Sequence, residues 1–216
     1  MRKKYIFFDL DGTLTNPKEG ITKSVQYALK SFGIEEEDLD KLEPYIGPPL
    51  YVGFMENHGF KQEDAENAVW KYREYFEKQG IWENERYDGI LELLKELKGQ
   101  GKTLVMATSK PENFAKMIAE HFGMKPYFTV IAGSIYEGGR TNKAEVIQYA
   151  LELAGITDLN DVVMVGDRKH DIEGAKTCGV DSVGVLYGFG NREELERAGA
   201  DWIVETVDEL RELLKN

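Results

Sequence analysis

Several things are scarce in this chain, and each scarcity excludes something. There is a single cysteine, Cys178, so no disulfide can form within the chain and stability must come from burial. There are only three histidines, His58, His121 and His170, far apart in sequence; that spacing offers no histidine-rich zinc site. His58 and His121 read as ordinary helix residues. No apolar run approaches the roughly 18–20 residues that a membrane span needs. Basic residues are in deficit, 27 against 39 acidic ones, for a net charge of −12. A surface of that sign repels nucleic-acid backbones and anionic lipid. Arg2-Lys3-Lys4 leads into only Tyr5-Ile6-Phe7-Phe8 before Asp9, too short for the apolar core of a targeting peptide. The expectation is a soluble cytoplasmic protein without nucleic-acid or membrane partners, a monomer or weak homodimer.

What is present is an ordinary globular composition over 216 residues, 42% hydrophobic and 31% charged. That length suits one domain, or one domain carrying a substantial insertion. Area scaling has folding bury about 70% of the surface, ample for a core without staples. The acidic surplus has two readings, surface solvation or carboxylates that hold a metal, and composition does not decide between them.

Tyr5-Ile6-Phe7-Phe8 is continuously apolar and stops at Asp9-Leu10-Asp11-Gly12-Thr13. Continuous rather than alternating hydrophobicity predicts a strand buried on both faces, hence a parallel sheet. Residues 103–107, 128–132, 161–165 and 182–186 read the same way, with a short sixth strand at 202–204. Between them lie apolar stripes at helical spacing: Ile90, Leu93, Leu94 and Leu97; Phe114, Met117, Ile118 and Phe122; Val146, Ile147, Ala150 and Leu151; Leu210, Leu213 and Leu214. This alternation predicts a doubly wound α/β fold. From about 16 to 84 the periodicity is helical, with candidate helices at about 20–32, 49–58 and 62–79. Residues 1–15 and 85–216 thus form the sheet domain, and 16–84 an all-helical insertion.

In open α/β sheets ligands bind beyond the carboxyl ends of the strands. The first strand ends in Asp9 and Asp11, the second in Thr108, Ser109 and Lys110, and the strand at 161–165 in Gly166-Asp167, with Arg168, Lys169, His170 and Asp171 behind. In extended backbone Asp9 and Asp11 point the same way, and two close carboxylates require a shared proton or a cation between them. Gly12 allows a sharp turn and close ligand approach. With Asp167 as a third oxygen donor and no clustered His or Cys, the hard donor set favours Mg²⁺ over zinc.

These segments resemble the four motifs of the haloacid dehalogenase superfamily: Asp9-Leu10-Asp11-Gly12-Thr13-Leu14-Thr15 the first, Ala107-Thr108-Ser109-Lys110-Pro111 the second, Lys143 in Thr141-Asn142-Lys143-Ala144 the third, and Val165-Gly166-Asp167-Arg168-Lys169-His170-Asp171 the fourth. They occur in family order, and Ile46-Gly47-Pro48-Pro49-Leu50 is similar to a segment of phosphoglycolate phosphatase-like members. The resemblance implies a Rossmann-like catalytic core with a helical cap and hydrolysis of small phosphate monoesters through an aspartyl phosphate. Asp9 would be the nucleophile and Asp11 the general acid and base. Thr108 and Lys143 would act on the phosphoryl group. Mg²⁺ would be held by Asp9, Asp167 and the backbone carbonyl of Asp11, and Asp171 would orient Lys143 or water at the metal. Substrate would meet Gly12, Ser109, Lys110 and Arg140 from the core and Lys23, Tyr27, Ile46, Gly47 and Pro48 from the cap. Asp11 separates the chain from dehalogenase-type and phosphonate-cleaving members, which lack that acid. A sugar-phosphate mutase, a 5'-nucleotidase and a pyrophosphatase of the same superfamily remain alternatives, as does a phosphate-binding regulatory module.

Overall fold

A computed structural model describes residues 1–215, and the chain falls into two compact units: Met1–Thr15 with the chain from Arg86 onward, and Asn16–Glu85. Among the described residues no helix is long and apolar enough to cross a membrane.

The first unit is built on six parallel strands: β1 (Tyr5–Phe8), β4 (Thr103–Pro111), β5 (Phe128–Ser134), β6 (Val162–Gly166), β7 (Asp181–Val185) and β8 (Trp202–Val204). Their spatial order is β5-β4-β1-β6-β7-β8. Counted along the chain within this sheet, that is 3-2-1-4-5-6, the doubly wound order with a topological switch between its first and fourth strands. β1 pairs Phe8 with Met106 on one side and with Val165 on the other. Both faces are sealed. Phe7, Val105 and Met164 pack with Val146, Ile147 and Ala150 of α6 (Lys143–Ala154) and Ala175 of α7 (Lys169–Cys178), while Ile6, Phe8, Leu104 and Met106, of opposite parity, are also fully buried. Each such side chain contributes about 1.5–3 kcal/mol by leaving water, which is why these strands read as unbroken apolar runs. The remaining helices of this unit are α4 (Ile90–Gly99), α5 (Glu112–His121), α8 (Arg192–Ala198) and α9 (Val207–Lys215).

Two expectations are corrected here. β4 does not stop at Ala107: it runs to Pro111 and carries Thr108, Ser109 and Lys110 within it, shifting register against β5 between Ala107 and Pro111. Gly133 permits this, because a Cβ there would lie 2.6 Å from the Lys110 carbonyl and 2.7 Å from the Glu112 nitrogen. The helix expected at 62–79 ends as an α-helix at Tyr75, and Phe76–Gly80 winds as a π-turn. The wider turn stacks Phe76 on Tyr72 at 5.2 Å. It also seats Gly80 against Gly20, where a Cβ on Gly20 would lie 1.9 Å from the Gly80 carbonyl.

The second unit contains α1 (Lys18–Ser31), a 3₁₀ turn at Leu39–Tyr45, α2 (Leu50–His58) and α3 (Gln62–Tyr75). α1 buries Ile21, Val25, Ala28 and Leu29 on one stripe. Tyr45 packs edge-on to Phe54 at 5.0 Å, and its hydroxyl meets His58 Nδ1 at 2.7 Å. Short strands β2 (Thr15–Asn16) and β3 (Glu85–Arg86) lie where the chain passes from one unit to the other.

Candidate active site

The polar groups of the α/β unit collect at the switch point, where β1 and β6 end side by side. The Asp9 amide donates to the Val165 carbonyl at 2.9 Å, which continues the β1–β6 ladder up to the first carboxylate. The chain then bends at Leu10, whose carbonyl accepts from Leu14 (2.9 Å) and Thr15 (3.0 Å). Gly12 occupies the left-handed region at φ 81°, and a Cβ there would lie 2.1 Å from Asp167 Oδ2. Glycine is required at this position twice over, by dihedral and by contact.

Asp9 and Asp11 are both buried, and each has its own lysine. Lys143 Nζ lies 2.8 Å from Asp9 Oδ1 and 2.7 Å from Asp171 Oδ1, and it also donates to the Ala107 carbonyl at 3.2 Å. Lys110 Nζ lies 2.8 Å from Asp11 Oδ2. Lys143 begins α6, whose first turn is capped by the Asn142 side chain accepting from the Ala144 amide at 2.8 Å. Burial alone would lower the Lys143 pKa, but Asp171 and Asp9 outweigh it and hold the ammonium charged. Burial pushes Asp11 above the usual carboxylate range, with Lys110 pulling the other way.

Asp167 follows β6 and Asp171 sits in the first turn of α7. Asp171 Oδ2 accepts from the Arg168 amide at 3.1 Å. Asp167 Oδ2 accepts from the Phe189 amide at 2.8 Å, while Asp167 Oδ1 is buried with no hydrogen-bond partner. Burial and the neighbouring carboxylates raise both groups, Asp167 well above the ordinary range and Asp171 to about 6. Asp9, Asp167 and Asp171 each offer an oxygen, all within 4.8 Å of one another and all buried. Three buried carboxylates with one lysine between two of them and one orphaned oxygen form a site short of positive charge. An all-oxygen set of this kind fits Mg²⁺. The Asp11 carboxylate is outside that cluster.

Of the remaining sequence candidates, Thr108 is buried and its Oγ1 accepts from the Lys110 amide at 3.2 Å, while Ser109 is half-buried beside it. Arg140 is held: its Nε donates to the Gly133 carbonyl at 2.8 Å, its guanidinium lies 3.6 Å from the Tyr149 ring centroid, and its backbone takes φ 50°. Lys23, Tyr27, Ile46, Gly47 and Pro48 belong to the helical unit. Lys23 pairs there with Glu19 (2.5 Å) and Glu83 (2.9 Å), and the Tyr27 hydroxyl donates to Glu74 at 3.2 Å. Ile46 is buried, Gly47 has φ 105°, and Pro48 is half-buried.

Sequence reasoning missed the loop after β7. The Tyr187 hydroxyl donates to the Thr13 carbonyl at 3.1 Å, its ring meets Tyr87 edge-on at 5.1 Å, and Phe189 holds Asp167. The available signal was the Gly188-Phe189-Gly190 spacing directly after a parallel strand, where a backbone must come close to something.

The family model described as haloacid dehalogenase-like hydrolase matches residues 6–185. A 5'-nucleotidase of Pseudomonas aeruginosa is 47% identical over all of this chain and 97% of its own length. The tyrosine-protein kinase PtkA of Mycobacterium tuberculosis is 38% identical over 97% of this chain and 72% of its own. Phosphoglycolate phosphatase 1 of P. aeruginosa is 28% identical over 98% and 78%. Among solved structures, a predicted phosphatase from Clostridium acetobutylicum superposes with a TM-score of 0.96 at 48% identity, covering 100% of this chain and 99% of that one.

Proposed function

The chain belongs to the haloacid dehalogenase-like hydrolase family and is a phosphatase; from that premise we propose that it hydrolyses small phosphate monoesters with Mg²⁺, Asp9 acting as the nucleophile and Asp11 as the acid and base. The observation that carries this reading is the division of the two strand-end carboxylates between two lysines. Asp9 sits 2.8 Å from the Lys143 ammonium, a positive charge placed where a carboxylate nucleophile must approach an anionic ester. Asp11 sits in a buried position that raises its pKa, so it can hold a proton to give.

In the first step an Asp9 oxygen bonds to phosphorus, the ester P–O bond breaks, and the proton on Asp11 passes to the departing alkoxide. In the second, Asp11 takes a proton from water as the water oxygen bonds to phosphorus, and the phosphorus–Asp9 bond breaks to release phosphate. Lys143 and the Thr108 hydroxyl stabilise charge on the phosphoryl oxygens. Asp9, Asp167 and the Asp11 carbonyl would hold Mg²⁺, with Asp171 beside them; the ion supplies charge neutralisation between the carboxylate nucleophile and the dianionic ester. The helical unit is assigned as the family's cap, and Lys23, Tyr27, Ile46, Gly47 and Pro48 are its candidates for substrate selection.

Nucleoside monophosphates lead the substrate classes to be tested, because the relative named as a 5'-nucleotidase is 47% identical along the whole chain against 28% for the phosphoglycolate phosphatase. The test ranks nucleoside 5'-monophosphates, phosphoglycolate, sugar phosphates and pyrophosphate by kcat/KM, with Mg²⁺ and no nucleoside triphosphate or sugar bisphosphate added. Phosphate release under those conditions supports a phosphatase over a mutase or kinase. A flat response across the panel overturns the reading in favour of a binding module.

A further inference from the structure

The loop after β7 is built around Asp167 more tightly than chain connection requires. A Cβ on Gly188 would lie 2.3 Å from the Gly12 carbonyl and 2.4 Å from Asp167 Cβ, and one on Gly190 would lie 1.8 Å from the Asp167 carbonyl. Neither glycine has a positive φ. Both are therefore demanded by closeness alone, unlike Gly12, which also needs its dihedral. Between them the Phe189 amide donates to Asp167 Oδ2 at 2.8 Å, and on the near side the Tyr187 hydroxyl donates to the Thr13 carbonyl at 3.1 Å. Four successive residues thus grip the first and fourth motifs together from one side.

We propose that Tyr187–Gly190 is a latch that makes Asp167 a one-oxygen cation ligand: the Phe189 amide occupies Oδ2, the two glycines let the loop backbone close on the carboxylate, and Oδ1 is left as the buried oxygen available to an ion. This rests on the reading of Asp167 as a ligand. Phe189 acts through Asp167 and is a positioning residue. A carboxylate fixed by a hydrogen bond to its second oxygen loses little further freedom when an ion binds, and such outer partners commonly set 10–100-fold in metal affinity.

The test measures Mn²⁺ affinity, as a surrogate for Mg²⁺, by electron paramagnetic resonance on the substrate-free protein, with thermal melting alongside. Gly188→Ala should weaken Mn²⁺ binding at least tenfold. Replacing Phe189 by phenyllactic acid, which exchanges only its N–H for an ester oxygen, should weaken binding several-fold while preserving the loop's shape; this variant decides the matter if Gly188→Ala does not fold. The control is Gly184→Ala, whose Cβ would press first on the Leu195 side chain, at 2.8 Å. It should lower the melting temperature yet keep Mn²⁺ affinity within twofold. The latch is overturned if the ester variant or a folded Gly188→Ala protein binds Mn²⁺ like wild type, or if Gly184→Ala weakens binding equally. Wild-type protein that binds no Mn²⁺ removes the ligand reading itself, and the latch with it.

Discussion

Each unit of the molecule contains a lysine clamped between two carboxylates at nearly the same distances. In the α/β unit Lys143 meets Asp9 at 2.8 Å and Asp171 at 2.7 Å; in the helical unit Lys23 meets Glu19 at 2.5 Å and Glu83 at 2.9 Å. The two clamps differ in their access to water. The Lys143 side chain is 4% exposed and its partners 8% and 1%, whereas Lys23 is 32% exposed and Glu19 62%. Water around Lys23 can replace either partner at small cost, and side-chain ordering cancels much of the Coulomb gain. Around Lys143 nothing replaces a lost partner, so the charges are committed to one arrangement. Ion-pair geometry by itself therefore says little about function. Burial turns the same geometry into a site whose protonation and charge are set by protein rather than solvent.

The largest effect that tests this contrast is chemical. Asp9→Asn removes the nucleophile's charge while keeping its shape and leaves Lys143 its pair with Asp171. Phosphate release should fall about 10⁴-fold or more with an unchanged circular dichroism spectrum. Retained activity would break the assignment of Asp9 and with it the special status of the buried clamp.

Next comes stability. Lys143→Met leaves Asp9, Asp167 and Asp171 buried together without their cation and should cost about 3–5 kcal/mol in urea unfolding, with Mg²⁺ restoring part of it. Lys23→Met in the helical unit should cost no more than about 1 kcal/mol. Equal losses in the two variants would refute the contrast.

The pH responses of the two units should have opposite signs. Asp167 and Asp171 have folded pKa values above their unfolded ones, Asp171 at about 6. The folded state therefore binds more protons, and without a divalent ion the stability of the α/β unit falls as pH rises from about 4 through 6. His58 has a lowered folded pKa, from burial opposed by Glu36, so the helical unit loses stability as pH falls through about 6.5. Hydrogen exchange in peptides from β6 and α7, compared with peptides spanning Tyr45 to Phe60, separates the two. In the metal-free protein, protection should rise in the first set and fall in the second between pH 7 and pH 5.5.

The division between the units also marks what could be read from sequence. The parallel strands were legible because sheets buried on both faces admit only apolar runs, and the places of Asp9, Asp11 and Asp167 were legible because polar residues follow those runs; Thr108, inside β4, and Lys143, at the start of α6, stood out only through the order of the motifs. The Lys110–Asp11 pair was not, since a lysine within a bulged strand looks the same whether it meets substrate or a neighbouring carboxylate. The Phe189 donor was hidden for a different reason: a backbone N–H leaves no trace in residue identity, and only the glycines flanking it hint that the chain comes close to something there. In the helical unit the α-to-π change at Phe76 depends on where Gly80 must lie against Gly20, a contact 60 residues apart that local periodicity cannot encode.

The smallest expected effect concerns long-range charge. The helical unit holds 15 acidic and 8 basic residues, and the α/β unit 24 and 19, so the shorter unit carries −7 of the total −12. For a dianionic ester this field is repulsive, while the attraction of Lys143 and Lys110 is confined to a buried site and already matched by carboxylates. The Debye length falls from about 30 Å at 0.01 M salt to about 8 Å at 0.15 M, so added salt should screen the repulsion and leave the buried pairs nearly untouched. With Mg²⁺ saturating, kcat/KM for a nucleoside monophosphate should stay level or rise by up to about threefold across that range. A steep fall would mean that substrate is drawn in by exposed positive charge, which would shift the weight of recognition from the buried lysines to surface ones such as Lys18 and Lys23.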